Sequence, residues 1–543
     1  MQRLERTRLI FFIIVGITVL IVGASAVYSI VSKQLSRLNA TATPDLADGP
    51  QGQTTPVIEL TSPDPVYAAG YVPGSDDLPV YVCGADAFGS YFVLQQMQIS
   101  GKDVEHGFHL GIVPFWLDSS DAYDVSEEQR TALLNSGQWD CLLTTLDSVA
   151  LTSPGVITAV VDESAGADQL WGRDIDTIND LNGKRIAFSR GSVGEYFVYY
   201  TLSIAHLNPR FDVTLLPRDS VADAVAAFND QQADAVAGWE PDIYEAETGG
   251  GNLLLSSSQL RIIMDVIVTS RQSISSRPDQ VQAFHDAWFD TLKAQLEDTV
   301  QAAQQIAQWG HNDWSFVYPE SAQADLTLWL TNIAQADLGD NAFIMRDPTP
   351  IISRLEIARR VWAASGAQVP GDDVTGLVDP GYVARSAAQT ELQAGGNPIN
   401  DTFSVSAHLD LSGIDPDDAV TLAVLPCRRF AFLPDSTTLT LESRRILDEC
   451  VLPTLQQSVG LYLRVKGSSA WPGPAGTYTQ DEILEFAQAR AQSVIDYLVS
   501  KGIDPARFVA EATLPPQEHW EVDDPDIQAE DRYVEMVLIT RGR

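Results

Sequence analysis

From Leu78 onward the chain alternates short apolar runs with stretches of helical periodicity, and this alternation narrows the fold more than any other feature. The runs read "LPVYVCG", "FHLGIVPF", "WDCLLTT" and "VITAVVDES", with helical segments such as "SYFVLQQMQIS" and "SEEQRTALLNSG" between them. A strand that is apolar on both faces must be covered on both. Parallel strands need long crossover connections, which helices supply. The pattern therefore predicts an α/β domain built on parallel, doubly wound sheet. A second unit of the same kind starts near "LNGKRIAFSRGSVGEYFVYYTL" and continues through "VTLLP", "SVADAVAAFNDQQ" and "DAVAGW". At 543 residues the chain is too long for one hydrophobic core, so several domains are expected.

In open α/β sheets ligands sit outside the carboxyl ends of the strands. That rule selects candidates. Phe88 and Ser90 follow the first strand, Thr144 and Thr145 end the third, and Arg190, Gly191 and Ser192 lead from a strand into a helix. Trp239 and Glu240 end an apolar run just before the breaker Pro241, an ending that a buried core strand does not need. Ser192 and Glu195 have the spacing of a capping box. Free N–H groups at that helix start favour an anion by ~0.3–1 kcal/mol, and by up to ~2 when partly buried. Glu240 suits an amine, or a nearby Arg190, better than a purely anionic ligand. Each residue also has a plainer reading, Ser192 as a helix cap and Trp239 as a lobe-core aromatic. Their convergence on one cleft favours a substrate-binding site. No metal or cofactor is expected there.

The front of the chain is different. Residues 9–31, "LIFFIIVGITVLIVGASAVYSIV", contain no ionisable side chain except Tyr28, and Arg3, Arg6 and Arg8 precede them. At 1.5 Å per residue such a run spans the ~30 Å hydrocarbon core of a bilayer. The expected order is a cytoplasmic tail (1–8), a single transmembrane helix acting as anchor in the cytoplasmic membrane (9–31) and a tether (32–77). The bulk of the chain then lies on the extracytoplasmic side, in the periplasm or against the cell wall. Ala24-Ser25-Ala26 has the form of a signal-peptide cleavage site, so a cleaved segment is the alternative, and it exports the same bulk. Asp and Glu number 73 against 34 Lys and Arg, a formal net charge of -39. A surface that acidic repels phosphate backbones, which argues against nucleic acid as a partner.

After "LRIIMDVIVTS" the chain turns mainly helical and completes a first folded region at 78–385, with its second lobe over about 170–260. A linker (386–418) leads to a small α+β module (419–543). There "AVTLAVLPCRRFAF", "LYLRVKG" and "RYVEMVLIT" read as strands separated by helices. Four cysteines, Cys83, Cys141, Cys427 and Cys450, match no zinc spacing, and an oxidising compartment permits disulfides. Cys427 begins a strand and Cys450 ends a helix. If that helix packs back on the strand the sulfurs meet, so this pair is the disulfide candidate. For Cys83 and Cys141, both on apolar strand runs, free buried thiols are at least as good a reading. His106 and His109 enter a strand three residues apart, where side chains face opposite sides, and are read as structural. No HExxH, P-loop, G-x-S-x-G or GxGxxG pattern occurs, and no enzymatic activity is expected.

Three segments resemble the solute-binding proteins of ABC importers, in the group that takes nitrate, bicarbonate, sulfonates or thiamine precursors. They are "ALLNSGQWDCLLTTLDSVAL", "LNGKRIAFSRGSVGEYFVYYTL" and "AVAAFNDQQADAVAGWEPDIYEA", and "DESAGAD" (Asp162–Asp168) is similar to a loop of the same group. The resemblance covers roughly residues 78–385. It implies a two-lobed, type II periplasmic-binding-protein fold that closes on a small molecule by hinge motion, with ABC permease and ATPase subunits as partners. Relatives that make the thiamine pyrimidine carry a cysteine cluster, and none of the four cysteines here clusters.

Residues 419–543 resemble the OmpA-like peptidoglycan-binding domain through "FAFLPDSTTLTLESRRILDE", "QARAQSVIDYLVSKGIDPARF" and "EDRYVEMVL". The resemblance implies a grip on diaminopimelate by an Asp and an Arg. Arg490 and Arg532 match family arginines, but Ala470 stands near the Asp position and Tyr533 replaces a further Arg. Peptidoglycan is thus an implied partner of a degenerate site. Flagellar stator subunits also join a membrane helix to such a domain, but they need an ionisable Asp in the helix, and residues 9–31 have none. The expected function is a membrane-anchored extracytoplasmic solute-binding protein that captures a small anionic or zwitterionic molecule for an ABC importer. A cell-envelope sensor or scaffold using the same pocket without transport is the alternative.

Overall fold

In the computed structural model the apolar runs form β1 (Val80–Ala85), β2 (His109–Pro114), β3 (Cys141–Thr145) and β4 (Val156–Glu163). The chain then builds β5 (Asp168–Gly172), β6 (Arg185–Ser189), β7 (Thr214–Arg218), β8 (Ala235–Trp239) and β9 (Asn252–Ser256) before returning as β10 (Met264–Thr269) and β11 (Ala334–Gln335). The strand orders are β11-β4-β10-β3-β1-β2 in one sheet and β7-β6-β8-β5-β9 in the other. Two sheets make two lobes. The chain crosses between them twice, from β4 to β5 and from β9 to β10. The structure describes residues 62–540 apart from 87, 115–124, 165, 261, 310–325, 328–329, 331–333, 390–419 and 458–460. The proposed anchor at 9–31 and all but the first residues of the linker at 386–418 lie outside the described residues. Among the described residues no helix is long and apolar enough to cross a membrane.

The sheets are not wholly parallel. β1 runs parallel to β2 and β3, and β6 runs parallel to β7 and β8. β10, however, is antiparallel to β3 and β4, and β5 is antiparallel to β8 and β9. The reason is the crossing itself. Both β4 and β9 end at the edge facing the other lobe, and after a short crossing the chain enters the next sheet from that same edge. The first strand after each crossing must therefore run against its neighbours.

Amphipathic helices cover the sheets. Pro278–Glu297 buries Val281, Phe284, Trp288 and Leu292 at helical spacing against the first lobe. Helix Thr349–Ser365 packs on Leu146–Thr152 of the first lobe and on Val193–Ile204 of the second. From it Trp362 lies 5.8 Å from Tyr196 and 5.7 Å from Tyr199, and donates its indole N–H to the Asp147 carbonyl at 3.1 Å. Residues 62–77, expected to be part of the tether, instead lie along β2. Val66 exchanges backbone hydrogen bonds with Ile112 at 2.7 and 2.8 Å, and Tyr71 stacks on His109 at 3.6 Å. His109 in turn meets Asp76 at 2.9 Å and His106 meets Asp290 at 3.3 Å. Cys83 and Cys141, register partners on β1 and β3, are joined by a disulfide, so the free-thiol reading does not describe this pair.

The C-terminal module is a separate sheet of β12 (Val420–Ala431), β13 (Tyr462–Ser468), β14 (Phe508–Thr513) and β15 (Tyr533–Thr540), in the order β12-β15-β13-β14. Helix Gln480–Ser500 packs on β13 and β14, and a disulfide ties Cys427 on β12 to Cys450 in the preceding helical segment. The module docks on the second lobe. There Asn179 accepts from the Val424 N–H at 2.7 Å and donates to its carbonyl at 3.0 Å.

Candidate functional site

Parallel strands that climb toward the lobe boundary, and antiparallel strands that start from it, put their ends around one cleft. Its cavity of about 840 Å³ is lined from the first lobe by Phe88, Tyr91, Thr144, Thr145 and Asp265, and from the second by Asp168, Arg190, Gly191, Ser192 and Trp239. The sheet register explains the gathering. Asp265, the second residue of β10, lies opposite Thr145, which ends β3, and Asp168 opens β5 opposite Trp239, which ends β8.

Of the residues selected from the sequence, Phe88, Thr144, Thr145, Arg190, Gly191, Ser192 and Trp239 line this cavity together. Ser90 and Glu240 are not among the lining residues. Ser90 is buried and donates its hydroxyl to Asp162 beneath the cleft floor. Glu240 turns back to accept from the Tyr244 hydroxyl four residues later. The expected capping box does not form, although both side chains still accept from amides at the helix start. Ser192 accepts from the Gly194 N–H at 3.2 Å, but Glu195 reaches past it to accept from the Gly191 N–H at 2.7 Å. The φ of Gly191, +64°, lies in the left-handed region that favours glycine.

Carboxylates dominate the electrostatics. Asp86, Glu127, Glu128, Asp168, Asp219 and Asp265 line the cavity, against Arg130 and Arg190. Tyr91 donates its hydroxyl to Asp265, and burial pushes that carboxyl upward. Asp162, register partner of Asp265, is pushed well above the carboxylate range, first by burial and then by Asp265. Burial also raises Asp168 and Asp147 to about 7. Asp168 and Asp265 escape the parallel-strand rule because they lie at the start of antiparallel strands. The available signal is a carboxylate inside an otherwise apolar strand, as in "IIMDVIVTS".

The two crossings are knotted together beside Asp168. Ser164 donates to Asp168 at 2.6 Å and lies 2.7 Å from the Ser257 hydroxyl. Ser257 Oγ also accepts from the amides of Gly166 at 2.9 Å and Asp168 at 3.2 Å. One serine from the return crossing thus holds the backbone of the outward one, an arrangement suited to a hinge.

Of the two arginines matched in the C-terminal module, Arg490 faces inward. Arg490 is 1% exposed and donates to the carbonyls of Ser436 at 3.1 Å and Ser468 at 2.9 Å, with Phe486 beneath it at 4.8 Å. Burial, then the like charge of Arg532, lowers it to about 10. Arg532 keeps a buried Nε without a partner among the described residues. Ala470 is buried, and neighbouring Trp471 stacks on Trp520 at 4.7 Å.

Residues 156–302, roughly a quarter of the chain, match the family described as NMT1/THI5 like. No curated protein matches the chain significantly. Among solved structures the chain is similar to the periplasmic aliphatic sulphonate binding protein SsuA from Escherichia coli at 16% identity and a TM-score of 0.44, over 56% of this chain and 92% of that one. It is similar to the alkanesulfonate-binding protein SsuA from Xanthomonas axonopodis pv. citri bound to MOPS at 19% identity and a TM-score of 0.42, over 56% and 99% of the two chains. The periplasmic nitrate-binding protein NrtA from Synechocystis PCC 6803 gives 13% identity and 0.42 over 58% and 90%.

Proposed function

We propose that this protein is an extracytoplasmic solute receptor, anchored by residues 9–31, that captures a small molecule between its lobes for an ABC importer. The observation that carries the reading is the cleft itself. Strand ends from both lobes line one cavity, and both crossings between the lobes are hydrogen-bonded to each other beside it. The family match over residues 156–302 and the sequence likeness to importer receptors support it. The C-terminal module is proposed to be an OmpA-like domain with a degenerate peptidoglycan site, in which Arg532 is left to meet a ligand because Arg490 is spent on the carbonyls of Ser436 and Ser468.

A second reading, an envelope sensor or scaffold using the same pocket, is favoured by one contact. Gln259, in the return crossing, donates to Thr540 at the end of β15 at 2.9 Å, so the C-terminal module touches the hinge segment. A thermal-shift screen of the full chain against small polar solutes tests the receptor reading. A ligand should stabilise the wild type, and Trp239→Ala should lose that response while keeping the unliganded melting temperature. Equal stabilisation of both proteins would contradict it.

A further inference from the structure

We infer that the cleft takes a small organic cation, its amine or guanidine group seated between Asp168 and Asp265 and its carbon frame against Phe88 and Trp239. This deepens the receptor reading and rests on it. Charge is the first ground. Among the described residues six carboxyl side chains line the cavity against two guanidiniums, and setting aside the pair Arg130–Glu127, 3.4 Å apart, still leaves five against one.

The second ground is a single oxygen. Asp168 is 4% exposed and lines the cavity. Its Oδ2 accepts from Ser164, but its Oδ1 has no hydrogen-bond partner among the described residues. A buried carboxylate oxygen without a donor is costly, and a cationic N–H donor from a ligand removes that cost.

The third ground is the helix start at Ser192, which is where an anion would be expected to sit. Its Gly191 N–H is occupied by Glu195, so the position already holds a negative charge. The aromatic walls fit the same class, because ring faces attract organic cations. A bare metal ion fits poorly. Among the described residues no group of three His, Cys, Asp or Glu side chains is placed to hold one, and a cavity of about 840 Å³ far exceeds an ion. Asp168 and Asp265 belong to opposite lobes, so hinge closure brings both to a cation placed between them.

The test is calorimetric titration of the full chain with 1,4-diaminobutane, agmatine and benzamidine, and separately with methanesulfonate, nitrate, Ca²⁺ and Zn²⁺. At least one organic cation should bind. Asp168→Asn and Asp265→Asn should each weaken it roughly ten- to hundredfold, the loss expected for one charge-assisted hydrogen bond. Arg190→Gln, which removes a like charge, should tighten it several-fold. Binding of methanesulfonate or nitrate but no amine would overturn the inference and leave the receptor reading standing. So would saturation by a divalent metal alone. Silence toward every probe would also overturn it, and a response to a metabolite extract in the same assay would then show that the receptor reading had not failed with it.

Discussion

Gln259 donates its side-chain amide to the hydroxyl of Thr540 across 2.9 Å, joining the segment that returns from the second lobe to the last strand of the C-terminal module. Two residues earlier, Ser257 holds the outward crossing through Gly166 and Asp168. With Asn179 clasping both backbone groups of Val424, the module is fastened to the second lobe and to the edge of the return crossing. Hydrogen bonds of this kind contribute about 0.5–1.5 kcal/mol each. The double variant Asn179→Ala/Gln259→Ala, which removes three such bonds, should therefore release the module by about 1.5–4.5 kcal/mol while leaving both lobes folded. Limited proteolysis should cut it first near the start of β12; an unchanged cleavage pattern would mean the docking is held elsewhere.

Asp168 trades stability for its position. Its carboxyl is raised to about 7 by burial, whereas in the unfolded chain it titrates near 3.8. The folded protein therefore binds a proton that the unfolded chain has already released across that interval, and stability falls as pH rises from about 4 to 7. Above 7 the deficit is constant. Asp168→Asn removes it, so the variant should melt several degrees higher than wild type at pH 8 and nearly with it at pH 4. Thermal unfolding at both pH values checks the sign. A variant less stable than wild type at pH 8 would contradict it.

Arg490 is bound to the fold more tightly than a ligand-facing arginine would be. Removing its guanidinium leaves the carbonyls of Ser436 and Ser468 without their donor, at about 1–3 kcal/mol each. Arg490→Ala should accordingly cost about 2–6 kcal/mol in urea denaturation. Arg532 is the better probe of cell-wall contact, since its buried Nε is unpartnered. Arg532→Gln should reduce sedimentation with purified peptidoglycan without a comparable loss of stability.

The disulfides close loops of different size. The sequence separations are 58 for Cys83–Cys141 and 23 for Cys427–Cys450. The loop-entropy model gives about 4 and about 3 kcal/mol respectively. Peptide mapping of exported protein without reductant should recover both cross-links. Reduction should lower the melting temperature, and free thiols at either pair would refute that bridge.

Most of the strands and helices, their order, and the cleft-facing ends of parallel strands are legible in the sequence, because apolar runs and helical periodicity are local signals. β5, β9, β11 and β14 do not read as strands, so the C-terminal sheet has four strands where three are expected. Phe88, Thr144, Thr145, Gly191, Ser192 and Trp239 are reached that way. Asp168 and Asp265 are not, since their place depends on two crossings between lobes that reverse strand direction. Ser90 and Glu240 sit at the right strand ends, yet their side chains turn to nearer partners, Asp162 and Tyr244. Residues 62–77 look like a tether by composition, and only the long-range pairing of Val66 with Ile112 places them on the domain. The docking of the C-terminal module is equally non-local.

The central claim is that a ligand is held between the lobes, and differential hydrogen exchange on the full chain tests it most directly. With a ligand found in the solute screen at saturation, protection should rise together in both walls, over Leu143–Ser148 of the first lobe and Ser189–Gly194 of the second, and at the crossing amides of Gly166 and Asp168. Protection confined to one lobe, or found only in the C-terminal module, would contradict the account.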